Sequence, residues 1–342
     1  MRESGRATMR DVARRAGVSI KTVSRVVNRS AEVSEETRLR VQAIIKDLGY
    51  RPNIAARSLH TRRTHTVALV VPDITDPFWP QVVHGVQAQA HKSDYSVIVA
   101  NSGESPQEEL LHIDLFLQRQ VDGIILCSSR GSPDHLMRVA DMAQHLVLVN
   151  RSIGTVPGTG SVRVNNMRGG YLATTYLLQH GHRRVACLSG PSHWESSKER
   201  RRGYQLALRE HGLAHDEHLL TQLPREVFQA EERMEEASRQ AAALLETDPP
   251  IDALFVHDDV CAFGVLKLCK EKSLRIPEDI AIVSFDDILL AAMVDPPLTT
   301  VAVPKQELGA QAMKLLQEGL DNGTPARTEI LVEPYLVIRE SA

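Results

Sequence analysis

From Thr66 onward the chain carries a series of short, continuous apolar runs, and these constrain its fold more than any other feature. They are Val67–Val71, Val97–Ala100, Gly123–Cys127, Leu146–Val149, Val185–Ser189, Ala253–Val256 and Ile280–Ser284. Runs this short and this apolar read as parallel strands covered on both faces. Helical stretches separate them, among them Gln107–Arg119, Met167–His180, Arg200–His211, Ala230–Glu246 and Val260–Lys272. The alternation predicts doubly wound α/β subdomains, whose ligands bind at the carboxyl ends of the strands. A length of 342 residues leaves room for two or three domains with cores of their own.

The first 65 residues have a different character. They hold 15 Lys and Arg against 6 Asp and Glu, a net charge of +9, whereas the remainder holds 25 against 37, a net of −12. A basic head on an acidic body offers one end to a polyanion. A solvated basic face without a partner would give the same count, so the arrangement of the residues has to decide. Thr8 with Asp11 three residues later is a capping-box start, and Val12, Ala13 and Ala16 give the helix that follows one apolar face. Gly17 supplies the positive φ of a tight turn. Ser19 can cap a second helix, about Ile20 to Asn28, whose Val23, Val26 and Val27 cluster on one side and whose Lys21, Arg25 and Asn28 point the other way. So short a helix needs the first to pack on. A third helix starts at Ser34 and buries Val41, Ile44, Ile45 and Leu48. These features predict an all-α helix-turn-helix head with its basic face outward, where Lys, Arg and Asn can donate to phosphates and guanine edges. Beyond it, Pro52, Asn53, Arg57, Leu59, Arg62 and Arg63 form a short basic segment. It is either a plain linker or a helix that orders on DNA, with Leu59 as a minor-groove wedge.

The predicted strand ends are polar: Asp73, Asp76-Pro77-Phe78-Trp79, Asn101, Asn150-Arg151, His257-Asp258-Asp259 and Asp286-Asp287. Carboxylates and amides near an aromatic suit a hydroxyl-rich ligand, although each acid taken singly can also be a helix N-cap. No apolar run approaches the roughly 18 residues of a membrane span. Met1–Arg10 lacks a secretory pattern, so a cytoplasmic location without membrane contact is expected. Cys127, Cys187, Cys261 and Cys269 show no paired spacing and read as reduced core thiols. His180, His182 and His257 form no closed ligand set. No phosphate loop, dinucleotide fingerprint or hydrolase elbow is present. No metal, cofactor or catalytic residue is therefore expected.

The stretch Met9 to Asn28 resembles the headpiece of the lactose/galactose repressor (LacI/GalR) family, and Tyr50-Arg51-Pro52-Asn53 with Ala56-Arg57-Ser58-Leu59 resembles that family's hinge. The likeness runs to the end of the chain. It implies base contacts from Ile20, Lys21 and Arg25, phosphate contacts from Thr8, Ser19, Thr22, Ser24 and Asn28, and intercalation by Leu59. In the body, the likeness is carried by Pro72–Trp79, Leu148–Arg151, Glu199–Tyr204, Val256–Asp259 and Ser284–Asp287. It implies an effector site built from Asp76, Phe78, Asn150, Arg200, Phe228, Asp258 and Asp286; Asp76 and Asp258 stand where the family commonly has Asn.

The expected architecture is a head (1–50), a hinge helix and linker (51–65) and a periplasmic-binding-protein-like core (66–342). Subdomain one takes 66–165 and 297–327, and subdomain two takes 166–296 and 328–342. The function implied is a DNA-binding repressor. It would act as a homodimer on a pseudo-palindromic double-stranded operator, under allosteric control by a sugar-like effector. No heptad tail follows Val337-Ile338, which favours a dimer. A free solute-binding protein and a sugar-processing enzyme are the alternatives. The basic head speaks against the first, and the lack of a recognisable nucleophile–base pair against the second.

Overall fold

A computed structural model of the chain describes residues 7–27, 32–50, 63–127, 132–151, 156, 159–225, 227 and 229–342. It divides into two units, 1–64 and 65–342. In the first unit, α1 (Met9–Ala16), α2 (Ile20–Val27) and α3 (Glu35–Asp47) pack around Val12, Ala13, Ala16, Val23, Val26, Val41 and Tyr50. The capping box forms: Thr8 Oγ1 accepts from the Asp11 amide, and the Asp11 carboxylate accepts from the Thr8 amide. Gly17 ends α1 at φ 65°. Ser19 Oγ accepts from the Thr22 amide at 3.0 Å, and Ser34 Oγ from the Thr37 amide at 3.4 Å. Ile44, Ile45 and Leu48 are only half-buried against this core. Arg51 to Arg62, and with them the expected hinge helix and Leu59, lie outside the described residues, as does Asn28.

The second unit holds two sheets. The first runs β11–β5–β4–β3–β1–β2, all parallel, from β1 (Thr66–Val71), β2 (Ser96–Asn101), β3 (Gly123–Cys127), β4 (Leu146–Val149), β5 (Gly160–Val164) and β11 (Glu329–Val332). The second runs β12–β10–β9–β8–β6–β7, from β6 (Val185–Ser189), β7 (Leu220–Gln222), β8 (Ala253–Val256), β9 (Ala281–Asp286), β10 (Thr299–Ala302) and β12 (Tyr335–Val337). In this sheet β12 alone is antiparallel. Helices α4 (Trp79–Lys92), α5 (Pro106–Gln118), α6 (Pro133–Met142) and α11 (Lys305–Asn322) belong to the first lobe. Helices α7 (Asn166–Gln179), α8 (Glu195–Glu210), α9 (Ala230–Leu245) and α10 (Asp259–Glu271) belong to the second. All four cysteines are buried and free. Among the described residues no helix is long and apolar enough to cross a membrane, and no group of three metal-ligating side chains occurs.

The expected assignment of the C-terminal segments needs correcting. β10 lies within 297–327 yet pairs with β9 in the second sheet, and β11 lies within 328–342 yet pairs with β5 in the first. The chain therefore crosses between lobes at Asn165, at Val303-Pro304 and at Glu333-Pro334. Apolar character makes these segments strands without saying which sheet takes them: β10 lies between β9 and β12, and β11 ends the first sheet beside β5. β5 lacks the unbroken apolar pattern because Arg163 sits inside it, its terminal nitrogens paired with Glu199 at 2.9 Å and Glu329 at 3.1 Å.

Candidate functional site

The head presents α2. Its valines face inward, while Ile20 is 45% exposed and Lys21 is also exposed. Arg25 is partly exposed and pairs with Glu32 at 2.7 Å. Thr8 and Ser19 lie at the N-terminal ends of α1 and α2, where their hydroxyls cap the helices and the positive end of the helix dipole favours a phosphate. Thr22 shares a hydrogen bond with Ser19, and Ser24 is half-buried on the flank.

In the body, both sheets have the strand order 2-1-3-4-5 at their centres, so each has a switch point where helices diverge to opposite faces. A cavity of about 130 Å³ opens there, lined from both lobes. The first lobe contributes Asp76, Phe78 and Trp79 after β1, Glu104 after β2, and Asn150 and Arg151 after β4. The second contributes Trp194 and Arg200 around the start of α8, Arg233 on α9, His257 and Asp258 after β8, and Asp286 at the end of β9. Of the effector residues expected from the sequence, Asp76, Phe78, Asn150, Arg200, Asp258 and Asp286 share this cavity, and Phe228 lies outside the described residues.

Arg200 is locked in place. Its Nε donates to Asn166 Oδ1 at 2.9 Å, one terminal nitrogen donates to the His257 carbonyl at 2.5 Å, and the other reaches Asp286 at 3.3 Å. Its guanidinium lies 3.5 Å from the Phe285 ring centroid. Gly170 makes this placement possible, since a Cβ there would stand 2.1 Å from the Arg200 carbonyl oxygen. Asp286 (φ 102°) and Asp287 (φ 53°) take left-handed backbone values, a strain typical of ligand sites. Asn150 does the same at φ 57°, and its Oδ1 accepts from the Val164 amide at 3.3 Å.

Charges in the cleft are strongly perturbed. Burial holds His257 neutral, with its pKa down to about 3 and the Arg200 charge acting the same way. Burial opposes the charge on Asp258, but Arg233 and the hydrogen bond from the Cys261 amide outweigh it and bring the pKa to about 2. Burial, against the pull of Arg200, lifts Asp286 to about 6.

Asp259, directly behind the cleft, accepts from Ser284 Oγ at 2.5 Å, Thr300 Oγ1 at 2.7 Å and the Ile288 amide at 2.8 Å. Burial, helped by Asp286, lifts its pKa to about 7. A carboxylate with a raised folded-state value binds more protons folded than unfolded. Its contribution to stability is therefore greatest at low pH and falls as pH rises through about 7. Between pH 5 and pH 8 the fall is on the order of 3 kcal/mol. Asp259→Asn should flatten the stability profile over that window in chemical denaturation. An unchanged slope would show that Asp259 does not titrate there.

Sequence reasoning missed Trp194 and Arg233. Trp194 supplies the second lobe with an aromatic wall, 5.6 Å from the His257 ring, opposite the edge-to-face Phe78–Trp79 pair of the first. Arg233 looked like one more surface charge among its neighbours, yet it is buried and pairs with both Asp76 and Asp258 at 2.6 Å.

Comparison with known proteins bears on both sites. The profile of bacterial regulatory proteins of the lacI family matches residues 8–53, and that of a periplasmic binding protein-like domain matches residues 174–342. The transcriptional repressor CytR of Escherichia coli is 33% identical over 335 residues, covering 98% of this chain and 96% of CytR. The chain belongs to the LacI family. This LacI-family chain is also similar to the solved complex of the transcriptional regulator CelR with cellobiose. That match has 32% identity and a TM-score of 0.74, covering 98% of this chain and 100% of the other. The lac repressor dimer bound to operator and an anti-inducer shares the fold, with a TM-score of 0.83 at 24% identity over 98% and 99% of the two chains. These LacI-family relatives are transcriptional regulators, and the present chain combines the same DNA-binding head with the same two-lobed body.

Proposed function

We propose that the protein is a repressor whose grip on a pseudo-palindromic operator is adjusted by an uncharged, hydroxyl-rich ligand bound between the lobes. The observation that carries the ligand class is the charge balance of the cavity. Asp76, Glu104, Glu195, Asp258 and Asp286 line it against Arg151, Arg200 and Arg233. Arg200 and Arg233 already donate to protein acceptors, and His257 is neutral. A phosphate or carboxylate would meet excess negative charge, whereas a neutral sugar can donate to carboxylate lone pairs and lay its C–H faces on Phe78 and Trp194.

The ligand is bound and released unchanged, and the protein acts in the cytoplasm, where its DNA lies. The active species is a homodimer. Leu289 (80% exposed) and Met293 (70% exposed) form an apolar turn suited to a second copy, and a dimer sets two heads on half-sites about one helical turn apart. Thermal-shift measurements with neutral sugars and their phosphate esters test the ligand class, because a ligand at 100 times its Kd adds about 2.7 kcal/mol. Stabilisation by a neutral sugar is expected; stabilisation by the esters alone would reverse the assignment.

A further inference from the structure

Arg233 joins the two lobes across the cleft. One terminal nitrogen donates to Asp76 Oδ2 in the first lobe, and the other donates to Asp258 Oδ2 in the second, both at 2.6 Å. Each carboxylate is anchored at its own end. Asp76 Oδ1 accepts from the Phe78 amide just before α4 at 2.9 Å, and Asp258 Oδ1 accepts from the Cys261 amide in the first turn of α10 at 2.7 Å. One guanidinium thus ties two helix starts, one from each lobe. Arg233 and Asp258 are buried and Asp76 nearly so, which makes these bonds stronger than exposed ones. The Arg163–Glu199 pair also links the lobes, but Arg163 lies two residues from the crossover at Asn165, where lobe motion changes distances least. No crossover joins α4 to α9, so opening the cleft must separate Asp76 from Arg233.

We propose that Arg233 is a positioning residue that latches the lobes through Asp76 before any ligand arrives, so that the ligand meets a preset lobe spacing instead of creating it. The proposal rests on the cleft being the ligand site only for its regulatory consequence; the latch itself requires neither DNA nor effector. The Arg233–Asp76 pair then weighs on the opening equilibrium of the ligand-free protein, beside the links near the crossovers from Arg163 to Glu199 and from Lys305 to the Asp287 carbonyl, and ligand and latch bias the same two-state element.

The chain has two tryptophans, and both line the cleft, Trp79 from the first lobe and Trp194 from the second. In a Trp79→Phe background, Trp194 reports from the second lobe on the Asp76 change made in the first. Asp76→Asn keeps an oxygen for the Phe78 amide but turns an amide group toward Arg233. Without ligand it should shift Trp194 emission to longer wavelength and raise its quenching by acrylamide, while far-ultraviolet circular dichroism stays unchanged. Arg233→Ala should do the same, and methylguanidinium well below denaturing concentrations should reverse the shift in Arg233→Ala but not in Asp76→Asn. Emission and quenching in Asp76→Asn equal to the parent would overturn the latch, and so would an Arg233→Ala shift insensitive to methylguanidinium. Should Arg233→Ala fail to fold, Asp76→Asn decides alone. Loss of all operator preference in the unaltered protein would sink the functional reading and leave these measurements standing.

Discussion

Arg200→Ala is expected to bind operator DNA as the unaltered protein does and to lose its response to ligand. Arg200 holds three groups at once, the Asn166 side-chain oxygen behind the cleft and the His257 carbonyl and Asp286 carboxylate at it. Removing it leaves Asp286 facing the cavity without its cation. Breaking a buried pair by deleting one partner costs about 3–5 kcal/mol. Here the cost is smaller, because Asp286, with a pKa already near 6, can take up a proton. A loss of about 3 kcal/mol in ligand binding corresponds to a reduction of more than a hundredfold in affinity, readable by calorimetry. Arg200→Lys should recover little, because a single ammonium cannot serve three acceptors set in a fork. A normal ligand response in either variant would place the effector elsewhere.

Arg25→Ala should abolish much of the discrimination between operator and unrelated duplex while leaving the head folded. The Arg25–Glu32 pair is exposed on both sides, and such pairs contribute less than about 1 kcal/mol to stability. A base-edge contact by arginine, in contrast, is worth about 1–3 kcal/mol of discrimination. Ser19→Ala, at the N-terminus of the same helix, should weaken binding evenly across sequences. Competition binding at fixed salt separates the two, and identical specificity profiles would contradict the assignment of Arg25 to base reading.

The sequence carried the head almost completely. Thr8, Gly17 and Ser19 are local signals, and capping and turn chemistry depend on neighbours three or four residues away. The sheets were legible wherever a strand is buried on both faces, as at Val67–Val71, and illegible where a charge interrupts it, as at Arg163. The segments of β10 and β11 were placed in the wrong lobes because apolar character does not name a strand's partners in the sheet. Arg233 was hidden for the opposite reason. Among Glu231, Glu232, Glu235 and Arg239 it resembles a solvated helix face, and its burial depends on Asp76, 157 residues away. Asp76 and Asp258 were visible as polar strand ends; that one arginine holds both is a property of the packed lobes.

Selection of binding sites from a random duplex pool by the purified full chain tests the account most directly. The account predicts enrichment of one roughly palindromic sequence, an affinity for it that falls steeply with salt because phosphate contacts dominate, and a change in that affinity on adding the sugar that stabilises the protein. A pool that emerges from selection as random as it entered, with and without sugars present, would contradict it.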